Sequence, residues 1–318
     1  MSRLALSQFF GLAGVFLISL FLAPYYFEGD QLQYIGAYNA VNGYNFSEGF
    51  LAYRAYLTTE EPIHYTIVWI FSNLDFGKNV VMATANSVLA YLLMRVVFAW
   101  RVSIYVALAL ILTNYYVLVL YFAAERLKFG FIILLLAVIF SKRKKSSLFL
   151  AVFSIMAHVQ LIVIYTAVLF SEFINRLIIG INISKSFYKE TFVFGFAVLL
   201  FFTTWTVLGD HIIYKLGEYT ERDHNNSIFD IWKSCVFLML ALIYSREKLK
   251  TVLGFLIIIS SVIILGPDRV NMIAYIFFMY YALQHNRGIN AGVAVSLIYF
   301  SIKSVDFIIR IIYNGHGF

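Results

Sequence analysis

Long apolar runs with short polar punctuation recur from one end of the chain to the other. The runs are continuous and do not alternate residue by residue. Helices and closed barrels are the only structures that span lipid, and continuous runs select helices. Apolar stretches cover residues 4–23, 80–100, 102–122, 127–140, 191–208, 228–244, 251–265 and 270–283. Residues 146–158 and 159–174 predict a helical hairpin, with one long tilted helix as the alternative. Residues 291–302 and 307–313 predict two shorter pieces, and residues 62–74 an amphipathic interfacial or re-entrant segment. The expected fold is all-α: a polytopic integral membrane protein of about ten or eleven transmembrane helices. The spans read as nearly charge-free. The two long polar stretches, residues 24–60 and 209–227, read as loops. With almost every residue in or beside a span, residues 1–318 predict a single transmembrane domain.

Composition agrees: 62% of residues are hydrophobic, 13% are charged, and the mean hydropathy is +0.82. A soluble protein of this length carries about twice that share of charge. The first 24 residues show no small-residue cleavage pattern and read as an uncleaved first span. Lys142, Arg143, Lys144 and Lys145 form one basic loop, and Arg246, Lys248 and Lys250 another. Basic short loops mark the cytoplasmic side. Both long polar stretches then fall on the opposite, outer face. The net charge of +7 reflects this topology and implies no nucleic-acid partner. Tyr and Trp suit the interfacial belts. The single Cys235 excludes an intramolecular disulfide. No Walker loop, dinucleotide fingerprint, metal-ligating His/Cys spacing or paired-Asp nucleotide-sugar motif occurs, so neither metal nor cofactor is expected.

The unusual polar residues share the outer face in this threading. They are Gly29-Asp30, Glu61-Pro62, Arg126, His158, the run Glu221-Arg222-Asp223-His224, and Pro267-Asp268-Arg269. Ionisable groups at a bilayer edge are costly and mark function. Arg126 opens one span and Arg269 another, and an arginine beside free helix N–H groups suits phosphate. Each also has a plain structural role open to it, Arg126 pairing with Glu125 and Arg269 with Asp268. His158 stands at the hairpin tip near Gln160, where a near-neutral side chain suits a general base. Interhelical hydrogen bonding is its simpler role. Asp30 and Glu61 lie in an aromatic setting with Tyr34 and Tyr38, where carboxylates bind sugar hydroxyls. The simpler reading is a pair of solvated loop acids.

In order, these pieces are Gly29-Asp30 with Tyr34 and Tyr38, Glu61-Pro62 before an amphipathic helix, Glu125-Arg126, Ala157-His158 one span later, and Asp268-Arg269. The chain resembles the EpsG-like branch of the Wzy-type bacterial polysaccharide (O-antigen) polymerases. The resemblance covers most of the chain and rests on short motifs in fixed order. It implies a fold like the C-type membrane glycosyltransferases. It also implies an inner-membrane enzyme that joins undecaprenyl-diphosphate-linked repeat units on the periplasmic face, with lipid-linked glycan as both donor and acceptor. A chain-length regulator is an implied partner. Arg126 and Arg269 would bind diphosphate with help from Arg222. His158 would act as base, with Asp30 or Glu61 as second choices. Asp30, Tyr34 and Glu61 would position the acceptor, with Tyr38, Asp268 and His224 also lining the substrate. The competing classes are a lipid-linked oligosaccharide flippase or other transporter, an O-antigen ligase-type transferase and a polysaccharide O-acyltransferase.

Overall fold

The computed structural model describes residues 3–179 and 231–318. Among the described residues the chain is helical, with no strand. The expected span at 191–208 and the expected loop at 209–227 lie outside them. The chain divides into two compact units, Met1–Val159 with Leu283–Phe318, and Gln160–Ala282.

The first unit holds α1 (Arg3–Leu22), α2 (Asp30–Ala40), α3 (Phe46–Leu57), α4 (Pro62–Asn73), α5 (Lys78–Ala99), α6 (Ile104–Thr113), α7 (Tyr115–Phe122), α8 (Glu125–Ile139) and α9 (Lys144–Ala157). α10 (Leu161–Ile179), α11 (Trp232–Tyr244), α12 (Lys248–Leu265) and nearly all of α13 (Pro267–Gln284) belong to the second. α14 (Ala291–Asn314) returns to the first. In the first unit α5 packs against both α1 and α8, α8 forms a tight pair with α9, and α4 touches α2, α3, α5 and α9. In the second unit α12 packs on α10 and α11. There Lys250 pairs with Glu172, and Ser234 Oγ donates to Asn271 Oδ1 at 2.8 Å.

Three helices are long and apolar enough to cross a membrane, over Gln8–Tyr25, Lys78–Ala99 and Asn286–Asn314, and a fourth if α6 and α7 count as one broken span. This count covers the described residues. α8, α9 and α11 have 15, 14 and 13 residues. At 1.5 Å per residue they reach about 20 Å, short of the roughly 30 Å hydrocarbon core.

The expected loop at 24–60 folds into α2 and α3. Asn45 caps α3, its side chain accepting from Glu48 N at 2.9 Å, which is a helix-start signal within the polar stretch. Gly29 takes φ +60°, a turn that suits glycine, and the chain beside it is held by Phe27 N and Glu28 N donating to the Gly315 carbonyl.

The expected two pieces at 291–302 and 307–313 are one helix, α14. Its buried residues Val293, Leu297, Phe300, Ser304, Phe307 and Ile311 repeat every three to four positions. The intervening charges sit on its exposed side, Arg310 pairing with Asp306 at 3.0 Å and Lys303 over the rings of Tyr115 and Tyr299.

The expected continuous span at 102–122 breaks by 49° between α6 and α7. Asn114 explains the break. Its side chain accepts from Tyr116 N and Val117 N at 3.1 and 3.4 Å, capping α7. The Thr113 carbonyl at the break accepts from Ser304 Oγ at 2.7 Å. Asn114→Ala should therefore lower unfolding free energy by about 1 kcal/mol in a denaturant titration of the purified protein. An unchanged midpoint would remove the cap from the account.

Candidate functional site

Three helix ends supply the charged groups. Pro62 occupies the first turn of α4, where its missing N–H costs nothing and its fixed φ suits the helix. The residue before it, Glu61, is extended. Arg126 is the second residue of α8. His158 ends α9 with an extended backbone, φ −159° and ψ 117°, so the chain leaves the helix at that side chain.

One carboxylate joins them. Arg126 Nη1 donates to Glu61 Oε2 at 3.1 Å, and His158 Nδ1 donates to Glu61 Oε1. Arg126 Nε donates to the Tyr34 hydroxyl at 3.2 Å. Glu61 and His158 are buried. The Arg126 side chain keeps 15% of its surface exposed, and its Nη2 has no hydrogen-bond partner among the described residues. Burial alone would raise the Glu61 carboxyl. The Arg126 guanidinium, then the His158 ring, overcome it and hold the group well below the usual carboxylate range.

No protein-family model, curated protein or solved structure matches this chain.

Glu125 turns away from its neighbour Arg126. Its Oε1 accepts from Lys78 Nζ at 2.5 Å. Lys78 also donates to Gln31 Oε1 at 2.7 Å and stands over the Tyr34 ring, 5.9 Å from the centroid. Tyr34 thus links the two charged groups. One helical turn on, Lys128 is fully buried and donates to Asn86 Oδ1 at 2.7 Å and the Tyr121 carbonyl at 2.9 Å. This corrects the expectation of charge-free spans. A cavity of about 30 Å³ is lined in part by Gln31, Lys78, Asn86, Tyr121 and Glu125. Beside these groups sits His64, fully buried, its Nδ1 2.8 Å from the Tyr53 hydroxyl and its ring against Tyr34 and Phe129. Burial pushes the His64 imidazole down to about 4, with the Glu125 and Glu61 carboxylates pulling the other way.

The structure brings together four of the expected residues: Tyr34, Glu61, Arg126 and His158. Tyr38 belongs to the aromatic core, its hydroxyl donating to the Phe76 carbonyl at 2.7 Å, so it ties α2 to the α4–α5 connection. Asp30 is exposed at the first residue of α2, one turn before Tyr34. Arg269, half-buried, and Asp268 stand at the start of α13 in the second unit. Arg222, His224 and the Asp268 side chain lie outside what the structure describes. Lys78, Lys128, Asn86, His64 and Tyr53 were not expected in the cluster. The available signal was a lysine and an asparagine inside apolar spans.

Two outcomes follow from the burial. His64 stays neutral when folded but takes up a proton near pH 6.5 when unfolded. Its stabilising contribution is full above pH 6.5 and is lost as pH falls toward 4. The Glu61 contribution is lost below that, as the carboxyl protonates. The melting temperature in detergent should fall across pH 6.5 to 4, and His64→Asn should flatten that part of the profile. A wild-type profile level across this window would contradict the buried neutral ring. Glu61→Gln leaves the Arg126 charge buried without its carboxylate, and should cost on the order of 3 kcal/mol in denaturant unfolding.

Proposed function

We propose that this chain is a membrane glycosyltransferase of polysaccharide-polymerase type, joining lipid-diphosphate-linked oligosaccharide units. The observation that carries the reading is the meeting of Arg126 and His158 on one buried carboxylate. Glu61 accepts from Arg126 at 3.1 Å and orients the His158 ring, while the Arg126 side chain keeps part of its surface open. A guanidinium edge beside an oriented imidazole suits an anionic leaving group such as a diphosphate. The resemblance in motif order to the EpsG-like, Wzy-type polymerases points the same way, and adds the bacterial inner membrane and a periplasmic reaction face.

In this reading an acceptor hydroxyl attacks the anomeric carbon of the donor sugar. The new glycosidic C–O bond forms as the bond to the diphosphate breaks, and the diphosphate leaves with the electron pair. His158 takes the hydroxyl proton. Glu61 fixes the ring through Nδ1, so Nε2 is the basic nitrogen, and the imidazolium formed is stabilised by the carboxylate. Because both Glu61 oxygens are engaged and the group is strongly acidic, Glu61 orients the base and does not replace it. Arg126 offers Nη2 to the departing diphosphate, a contact worth roughly 3 kcal/mol or about a hundredfold in rate. Tyr34 and Asp30 are proposed to meet the acceptor sugar. None of these steps requires a metal.

One observation favours a lipid-linked oligosaccharide transporter instead: Lys128 is a fully buried lysine in the apolar helix α8, and ionisable groups among apolar helices often line a path. A deletion strain complemented with wild type or a variant separates the two, read as glycan bands on a polysaccharide gel. Wild type should give a ladder. Arg126→Lys and His158→Gln, at unchanged protein level, should give single-repeat glycan only. A normal ladder from either variant would remove that residue from the mechanism. Loss of even single-repeat glycan in the deletion strain would favour the transporter.

A further inference from the structure

The turn joining α8 to α9 carries Lys142, Arg143, Lys144 and Lys145 in succession. Arg143 is the residue that caps α9, and Lys144 and Lys145 are its first two residues. This placement runs against elementary helix electrostatics. The N-terminal end of a helix is its positive end and prefers acidic residues. Here no acid stands in the first turn, and no side chain caps the free N–H groups. No carboxylate pairs with any of the four cations among the described residues. The like charges repel one another and the helix end, so the turn concentrates positive potential that nothing in the described fold relieves. A local rule broken without internal compensation marks a site that expects a partner.

The turn also has a shape. Phe140, Arg143, Lys145, Ser146, Phe149 and Leu150 line a groove of about 590 Å³, within the range of ligand-sized clefts. Its walls are of two kinds. Arg143, Lys145 and the Ser146 hydroxyl offer hydrogen-bond donors, beside the free N–H groups of the first turn of α9. Phe140, Phe149 and Leu150 offer apolar surface, extended by Phe153, whose ring lies 4.3 Å from that of Phe149. Phe149 is 60% exposed. A small soluble anion would use the donors and leave the apolar wall in water. An amphiphile with a phosphate at its polar end uses both.

We infer that this groove binds an anionic phospholipid of the surrounding bilayer, with the phosphodiester held by Arg143, Lys145, Ser146 and the α9 N-terminus and the acyl chain along Phe149 and Phe153. The inference is independent of the proposed reaction, whose residues stand at the other ends of α8 and α9. Basic clusters beside membrane helices attract acidic lipid at about 1 kcal/mol per cation, and the groove gives that attraction a defined seat.

The test is native mass spectrometry of the full chain in mild detergent, with phosphatidylglycerol or phosphatidylcholine of matched acyl chains added separately. Phosphatidylglycerol should stay bound and phosphatidylcholine should not. Arg143→Gln with Lys145→Gln should weaken phosphatidylglycerol binding about thirtyfold, while Arg310→Gln, on α14, leaves it unchanged. Equal retention of the two lipids, or unchanged binding in the double variant, would overturn the inference. So would retention of a polyprenyl monophosphate in preference to phosphatidylglycerol. Should the double variant not fold, salt raised from about 50 to about 500 mM on the wild-type chain serves instead. Selective loss of phosphatidylglycerol would support the site, and no salt dependence would overturn it.

Discussion

The site in the first unit depends on one buried carboxylate that must serve two partners at once. Glu61 cannot remain charged inside a protein without compensation, and Arg126 and His158 supply it from two other helices. That demand fixes where α4, α8 and α9 may sit. Glu61 and Arg126 come from helix starts, where backbone geometry is set by Pro62 and by the first turn of α8, and His158 comes from a helix end. The three side chains are therefore placed by backbone that the local sequence constrains.

Around this centre the aromatic residues act as insulation and as a link. Tyr34, Tyr53, Tyr65 and Tyr38 pack with Val41, Leu57 and Val68 into one core beneath the charges. Tyr34 has a second task. It accepts from Arg126 through its hydroxyl and faces Lys78 with its ring, so the Glu61 and Glu125 ion pairs share a side chain. His64 sits between them as a neutral ring. The part-exposed Arg126 guanidinium is the cationic edge of this cluster, and on it rests the proposal of an anion site.

Much of this site is legible in the sequence. Glu61-Pro62, Arg126 and His158 stood out because charge is rare in such a chain, and the structure brings them together. Helix breaks proved harder. Asn114 interrupts a run whose hydropathy is continuous, because a capping amide changes backbone direction without changing polarity. Residues 24–60 looked like a loop because Tyr, Asn and Gly dominate them, yet the Asn45–Glu48 cap and the buried tyrosines make two helices. Residues 291–302 and 307–313 read as two pieces, yet Lys303 and Asp306 between them lie on one exposed side of a continuous α14. Lys128 does not stand out in the sequence, because its neighbours are apolar and its partners, Asn86 and the Tyr121 carbonyl, are distant or backbone. Pairings between helices cannot be read from spacing within one.

We propose that the Glu61–Arg126–His158 cluster binds an anionic, lipid-linked group, and the affinity of the purified chain for geranyl diphosphate, geranyl monophosphate and geraniol tests it. Binding should strengthen with each phosphate, and Arg126→Lys should lose at least tenfold for the diphosphate while geraniol is unaffected. Equal affinity for the three ligands, or diphosphate binding unchanged by Arg126→Lys, would contradict it.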